Sequence, residues 1–374
     1  MQDEETLKVG QKRRLRYFFL CADIRPESRW ASGGTAVIYQ MVAELRKQGH
    51  DAAILHGDRR ARYSGAREDV PIFANYRSRR KEMNRRGRRR RLMDGLRWRL
   101  DLLRGGSPLV EPAASDVIVV AEYMMEEALA AFPDHSKILI AQNPFSHMRA
   151  HTRAGAWHPD PAGAFSHTVG ISEICVRFCR LLGYRTPAYV PVTLYPERFP
   201  FRAEKEKVIA FMPRKRKDEA QVIAASLEAR GKLQGYRLDP IDGMSQAEVA
   251  DRMARARFFI SLQRLEGLGL PAAEAMASGC VVVGYTGLGA DEYFDTTTGI
   301  PIAEGDTAAL VQAVEEVIAE YEDSPERLEA MRRHASEVVN RRYSSEAFLS
   351  SLIATWAQID ADLSRPDLSG RAPG

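Results

Sequence analysis

Short apolar runs alternate with segments whose apolar residues recur at helical spacing. RYFFLCAD (16–23) is a compact run of the buried-strand type, and ESRWASGG follows it as a loop. Val37, Ile38, Met41, Val42 and Leu45 then fall on one helical face, KQGH closes the helix with a glycine, and DAAIL (51–55) is the next strand. Strand, glycine-rich loop, helix, strand is a βαβ unit. DVIVVAE (116–122), KILIAQN (137–143) and HTVGIS (167–172) continue as strands among helical patterns. That alternation predicts a parallel sheet covered by helices on both faces.

YVPVTLYPERFPFRAEKEK (189–207) breaks the rhythm with prolines and a charged end, as a linker does. The alternation restarts with KVIAFMP (207–213), a helix around DEAQVIAASLEARG, and YRLDPI. SQAEVADRMARA opens with Ser245 and Glu248 in capping-box spacing. RFFISL, PAAEAMASG and CVVVGY read as strand, helix, strand, and two amphipathic helices follow, TAALVQAVEEVIAEY and SEAFLSSLIATWAQI. The expected architecture is α/β, two doubly wound Rossmann-like domains facing across a cleft. We expect a polar tail (1–15), a first domain (16–192), a linker (193–206), a second domain (207–342), a C-terminal helix crossing back to the first domain (343–363) and a tail (364–374). A chain of 374 residues suits two such domains. Ligands of these sheets bind beyond the carboxyl ends of the strands, so function is expected in the loops there.

Composition changes this picture at one place. Residues 77–104 hold thirteen Arg or Lys against three acids, a local charge of +10 in a chain whose net charge is +4. The rest is therefore an acidic globule carrying one cationic insertion. The polar start, MQDEETLKVGQKRRLRYFFLCAD, has no hydrophobic region of signal-peptide length, and no stretch approaches the roughly 18 apolar residues of a membrane span. A cytoplasmic protein is expected, with peripheral contact to the inner membrane face left open. Cys21, Cys175, Cys179 and Cys280 form no C-x-x-C pair and are expected as reduced, buried thiols.

The densest chemistry lies in RLEGLGLPAAEAMASGC (264–280). It follows the strand FFISL. Pro271 suits a first helical turn and Gly279 a helix end. The amides of Gly267, Leu268, Gly269 and Leu270 are left without helical partners at the positive end of the helix dipole, a site for phosphate. Glycine allows a diphosphate to approach the backbone closely. Glu266 precedes that site and Glu274 lies about one turn inside the helix; a carboxylate accepting two hydrogen bonds suits a vicinal diol. A diphosphate with a polyol at each end, as in a nucleotide sugar, would use all three features.

The block from Glu266 to Gly279 resembles the donor-site motif of retaining glycosyltransferases of family 4, E-G-(F/L)-G-L-P-x-x-E-A-M-A-x-G before an apolar strand. The resemblance implies the GT-B fold and a nucleoside diphosphate sugar as donor, with hexose transfer to an acceptor hydroxyl at retained configuration. It implies that Glu266 binds sugar hydroxyls, that Glu274 binds the ribose diol, and that the backbone from Leu268 to Leu270 faces phosphate or sugar. FMPRKRKDEA (211–220) then supplies cations for a leaving diphosphate. Arg214 fits the arginine that ends this strand in the family. The family's lysine falls about five residues later; here Lys217 is favoured, with Lys215 as a further donor contact. Gly33 and Gly34 in ASGGTAVIYQ resemble the family's first glycine-rich loop, and Gly287 and Gly289 are minor candidates beside the nucleotide.

The acceptor side departs from the family pattern. Where many relatives carry a histidine, LIAQNPFSH offers Asn143, with His147 four residues on. Pro-Asn-Gly near the linker is replaced by VPVTLY. DAD (360–362) trails a helix, so no metal and no other cofactor is expected; arginine, lysine and helix dipoles can hold the diphosphate. The acceptor is expected to be a glycan, cell-surface or lipid-linked. The insertion 77–104 places Leu92, Leu96, Trp98, Leu100, Leu102 and Leu103 among arginines, as an interfacial helix would, and is expected to meet an anionic membrane. It lacks aromatic platforms within the basic run, which argues against nucleic acid. Two other readings stay open from sequence: a nucleotide-sugar epimerase on the same plan, and a non-catalytic nucleic-acid binder.

Overall fold

The computed structural model describes residues 15–24, 33–63, 67–75 and 105–365. The cationic insertion, most of the two tails and part of the first glycine-rich loop lie outside the described residues. The first sheet is built from β1 (Arg16–Leu20), β2 (Asp51–His56), β3 (Ile72–Ala74), β4 (Val117–Ala121), β5 (Lys137–Ala141), β6 (His167–Gly170) and β7 (Pro187–Tyr189). All are parallel, in the order β3-β2-β1-β4-β5-β6-β7. The helices are α1 (Gly33–Lys47), α2 (Met125–Ala131), α3 (Pro144–Ala154) and α4 (Glu173–Leu181). Every residue of β4 and β5 is buried, as the continuous apolar runs require of strands covered on both faces.

The second sheet contains β8 (Glu206–Phe211), β9 (Arg237–Pro240), β10 (Ala256–Leu262), β11 (Val281–Tyr285) and β12 (Ile300–Pro301). They are parallel in the order β12-β11-β10-β8-β9. Its helices are α5 (Lys217–Arg230), α6 (Gln246–Arg255), α7 (Leu270–Ala277), α8 (Thr307–Asp323) and α9 (Glu326–Arg342). Ser245 and Glu248 make the reciprocal capping box that their spacing predicts. The four cysteines are free and buried. Among the described residues no helix is long and apolar enough to cross a membrane.

The last helix, α10 (Ser345–Leu363), follows the second domain in sequence but packs on the first. Trp356 is fully buried, stacked on Phe19 at 5.8 Å and edge-on to Tyr17 at 6.2 Å. Asp360 accepts from the Tyr17 hydroxyl and lies 3.4 Å from His50, while Asp362 lies 3.3 Å from His167. The DAD aspartates are thus tied to the first domain's side chains.

The sequence pattern misses β3, β7, β12 and α9. The strands have two or three residues, too few to show a period. In α9 the charged residues dominate, and only Leu328, Met331, Ala335 and Val339 mark a buried face. Its Arg332 is also buried, donating to the carbonyls of Arg202, Ala203 and Gly279. The proline-rich segment before β8 is packed: Val192, Leu194 and Phe199 are buried, and the Leu194 N–H donates to the Tyr343 carbonyl at 2.8 Å.

Candidate functional site

Strand order reverses direction between β8 and β10, so the loops leaving these two strands diverge and open a crevice. One is the basic turn after β8; the other is the glutamate loop after β10. In the first sheet the corresponding reversal lies between β1 and β4, and α1, which follows β1, begins at Gly33. The loops of the two sheets meet across this gap.

The glutamate loop is shaped by close packing. Gly269 caps α7 at φ 83°, a left-handed conformation that favours glycine. Its carbonyl accepts from Gln263 Nε2 at 3.0 Å and from the Tyr293 hydroxyl at 2.6 Å. Pro271 lies in the first turn and Gly279, at φ 83°, ends the helix. Leu268 is buried, and Leu270 packs at its Cδ1 toward Gly33, where a Cβ would lie 3.2 Å away. A Cβ on Gly267 would meet the Gln142 carbonyl of the first domain at 1.8 Å. Here the absent side chain admits the other domain's backbone. Gly289 has the same role toward the Glu266 carbonyl and Gly287 toward Gln263.

The two glutamates differ. Glu266 is paired with Lys215, Nζ to Oε1 at 2.5 Å. Glu274 is half-buried, and its carboxylate has no hydrogen bond or ion pair among the described residues. Burial raises it to about 8, opposed by the charge of Arg198. A desolvated carboxylate without a partner is costly to ionise, and donated hydrogen bonds from a ligand would repay that cost.

In the basic turn, Pro213–Lys215 form a 3₁₀ turn before α5. Arg216 turns inward, only 7% exposed in its side chain, and donates to the Gln263 carbonyl while pairing with Glu219 and Glu304. Its guanidinium stacks 4.7 Å over Tyr285. Arg216 is therefore consumed in bracing the two loops. Arg214 is exposed, without an ion pair among the described residues. Lys217, the lysine favoured from sequence, is exposed and faces Asp242 at 3.9 Å; it is Lys215 that reaches Glu266. The 3₁₀ turn at Pro213–Lys215 sets the cations apart in direction, which spacing alone does not reveal.

On the first-domain side, Asn143 caps α3, its Oδ1 accepting from the Phe145 and Ser146 N–H groups. Its Nδ2 donates across the gap to the Leu265 carbonyl at 3.0 Å. Ser172 caps α4 and donates from Oγ to the Gly267 carbonyl at 2.5 Å. Gln142 Nε2 donates to the Gly34 carbonyl at 2.9 Å, and a Cβ on Gly34 would strike that same side chain. His147, the other acceptor-side candidate, is fully buried, 3.8 Å from Cys179 Sγ, and burial with the nearby His151 lowers it to about 4. It is a buried residue of the first domain's core. Gln142, Ser172 and Gln263 escaped the sequence reading. Only the position of Ser172 before a helix hinted at a cap. Among the described residues no group of three or more His, Cys, Asp or Glu could hold a metal ion.

These two facing sheets define a GT-B fold. The chain superposes on a Staphylococcus aureus TarM variant solved with fondaparinux, alpha-GlcNAc-glycerol and UDP, at TM-score 0.63 and 10% identity over 92% of this chain and 100% of that one. It also superposes on Anabaena HepE in complex with UDP and glucose (TM-score 0.60, 12% identity, 92% and 100% covered). A third neighbour is sucrose-phosphate synthase from Thermosynechococcus elongatus (TM-score 0.60, 13% identity, 93% and 100% covered). Residues 209–320 match the family model described as Glycosyl transferases group 1, so the second domain is a domain of that group. In sequence, the chain is 28% identical to an alpha-1,6-glucosyltransferase of Actinobacillus pleuropneumoniae serotype 7 (strain AP76) over 232 residues. That match spans 57% of this chain and 66% of the relative's length.

Proposed function

We propose that the protein is a retaining glycosyltransferase that moves a hexose from a nucleoside diphosphate sugar to the hydroxyl of a glycan or lipid-linked acceptor. The carrying observation is Glu274, a half-buried carboxylate on the helix that begins at the glycine-rich loop, with no partner among the described residues. A ribose diol donates two hydrogen bonds to it, the α7 N-terminus receives the diphosphate, and Glu266 orients the sugar. Arg214 and Lys215 oppose the charge that grows on the leaving diphosphate, with no metal required. Lys215 holds Glu266 until the donor arrives and then shares its charge with the phosphate. Retention follows the resemblance of the Glu266–Gly279 block to family 4. The UDP in the TarM and HepE complexes supports a uridine donor. The donor belongs to the domain at 207–342, the acceptor to the domain at 16–192, on the cytoplasmic side of the membrane.

The test is a thermal-shift panel of nucleoside diphosphates and their sugars, since a ligand selective for the native state raises its melting temperature; at a hundred times Kd the gain is about 2.7 kcal/mol. One base family should stabilise the chain, and that donor should release nucleoside diphosphate faster when the correct acceptor is present. A panel with no stabilising nucleotide overturns the reading. Isomerised donor formed without any acceptor points to the epimerase instead.

A further inference from the structure

Helices α3 and α4 lie side by side, with the Phe145 and Phe178 rings 6.0 Å apart. Their inward faces are ordinary core: His147, Ala150 and Ala154 on one, Cys175, Val176 and Cys179 on the other. Each outward face also carries one exposed apolar residue among polar ones. Met148 is 40% exposed and Leu181 is 72% exposed, while Phe145 and Phe178 are half-buried. Phe145 with Met148, and Phe178 with Leu181, are three residues apart and share a helical face. Arg149, Arg177, Arg180 and Arg185 are exposed around them, with no ion pair or side-chain hydrogen bond among the described residues. α3 contains no acid, and the single acid of α4, Glu173, pairs with Arg342.

An apolar ridge set among unneutralised arginines matches one surface on both counts. The arginines suit anionic headgroups, and the aromatic and aliphatic side chains suit the boundary beneath them. A purely polyanionic partner would leave Met148 and Leu181 unused. We infer that the outward face of α3 and α4 is a docking surface for an anionic lipid bilayer. This surface is separate from residues 77–104. Both helices start at the cleft, where Asn143 and Ser172 hold the glutamate loop, and α4 is only about 14 Å long at 1.5 Å per residue. Docking therefore brings the cleft edge to the headgroup layer. On the glycosyltransferase reading, this selects a lipid-linked acceptor.

The experiment is co-sedimentation of the full chain with vesicles of phosphatidylcholine alone and of phosphatidylcholine with phosphatidylglycerol, for the wild type and for R177E/R180E/L181S. The wild type should partition onto the anionic vesicles. The variant should bind them at least about thirtyfold less, at about fivefold for each of the two basic residues lost, with the introduced acids and the lost leucine adding to that. All three positions are exposed, so the melting temperature should stay put, and nucleoside diphosphate binding should be unchanged. That second readout separates failure of docking from failure of the proposed activity. Three results overturn the inference: no wild-type recovery with anionic vesicles, equal recovery on both vesicle types, or full retention by the variant, which would place docking elsewhere. A wild-type dimer that the variant converts to monomer, with vesicle binding intact, also overturns it.

Discussion

At the scale of single residues, the cleft chemistry rests on Glu274. Burial holds its carboxyl at about 8, above the ordinary 4.5. An acid raised on folding contributes stability that is complete below its unfolded pKa and is lost as pH climbs through the folded one. The ligand-free protein should therefore lose stability between about pH 4.5 and 8, and Glu274→Gln should flatten that part of the profile in chemical denaturation. Donor binding runs the other way. Two donated hydrogen bonds require the ionised form, so affinity for the nucleotide sugar should rise toward pH 8 and level off above it. Glu274→Gln should remove this slope in calorimetric titration, and Glu274→Ala should cost about 1.5–3 kcal/mol of donor binding, the worth of hydrogen bonds to a charged group. A wild-type affinity independent of pH would refute the diol assignment. The neighbouring cations separate by position. Arg214→Ala and Lys215→Ala should each depress kcat, by about a hundredfold for a lost transition-state charge contact. Lys217→Ala, altering only an exposed 3.9 Å contact with Asp242, should change it little.

At the scale of elements, the glutamate loop is held by the opposite domain as much as by its own. Gly267 shows this best. An added Cβ would lie 1.8 Å from the Gln142 carbonyl, and backbone cannot swing aside as a side chain can. Gly267→Ala should therefore push the loop off the first domain while leaving both sheets intact. The expected readout is a raised KM for donor and a lowered kcat with a small change in melting temperature; unchanged kinetics would show that the contact is dispensable. The sequence announces Gly267 because glycine, proline and glutamate at fixed offsets act within one loop and one helix. Such local rules also reveal the long strands and the Ser245 capping box. They fail where a residue's role depends on remote partners. His147 has the residue type of an acceptor-side base, yet Cys179 and Tyr184 from elsewhere in the chain enclose it. Arg216 looks like one more cation in RKRK, yet Tyr285, Glu219 and Glu304 claim it. Asn143 is read as a substitute for a catalytic histidine, whereas its partners make it both a helix cap and a cross-domain strut.

At the scale of the whole molecule, the two sheets are joined at two separate places. Near the cleft, Glu292 of the second domain accepts from the Glu173 N–H at 2.6 Å and from the Tyr343 hydroxyl at 2.6 Å, and burial raises its carboxyl above the ordinary range. On the far side, α10 leaves the second domain and closes over β1. Trp356 is the anchor there: fully buried, stacked on Phe19 and edge-on to Tyr17. The site needs both joints, because Asn143 and Ser172 reach the glutamate loop only if the first sheet keeps its orientation. Replacing Trp356 with alanine removes the ring and leaves a cavity that β1 cannot fill, a loss of about 3–5 kcal/mol for a buried aromatic. The loss falls on the first domain, since none of these ring contacts belongs to the second sheet. Scanning calorimetry should then resolve two transitions, the first-domain one lowered by roughly 10 °C, from about 2–4 °C per kcal/mol in domains of this size. The second-domain transition should keep its temperature and its response to nucleoside diphosphate. A single transition displaced as a block would instead mean that the sheets unfold as one cooperative unit, with α10 serving both.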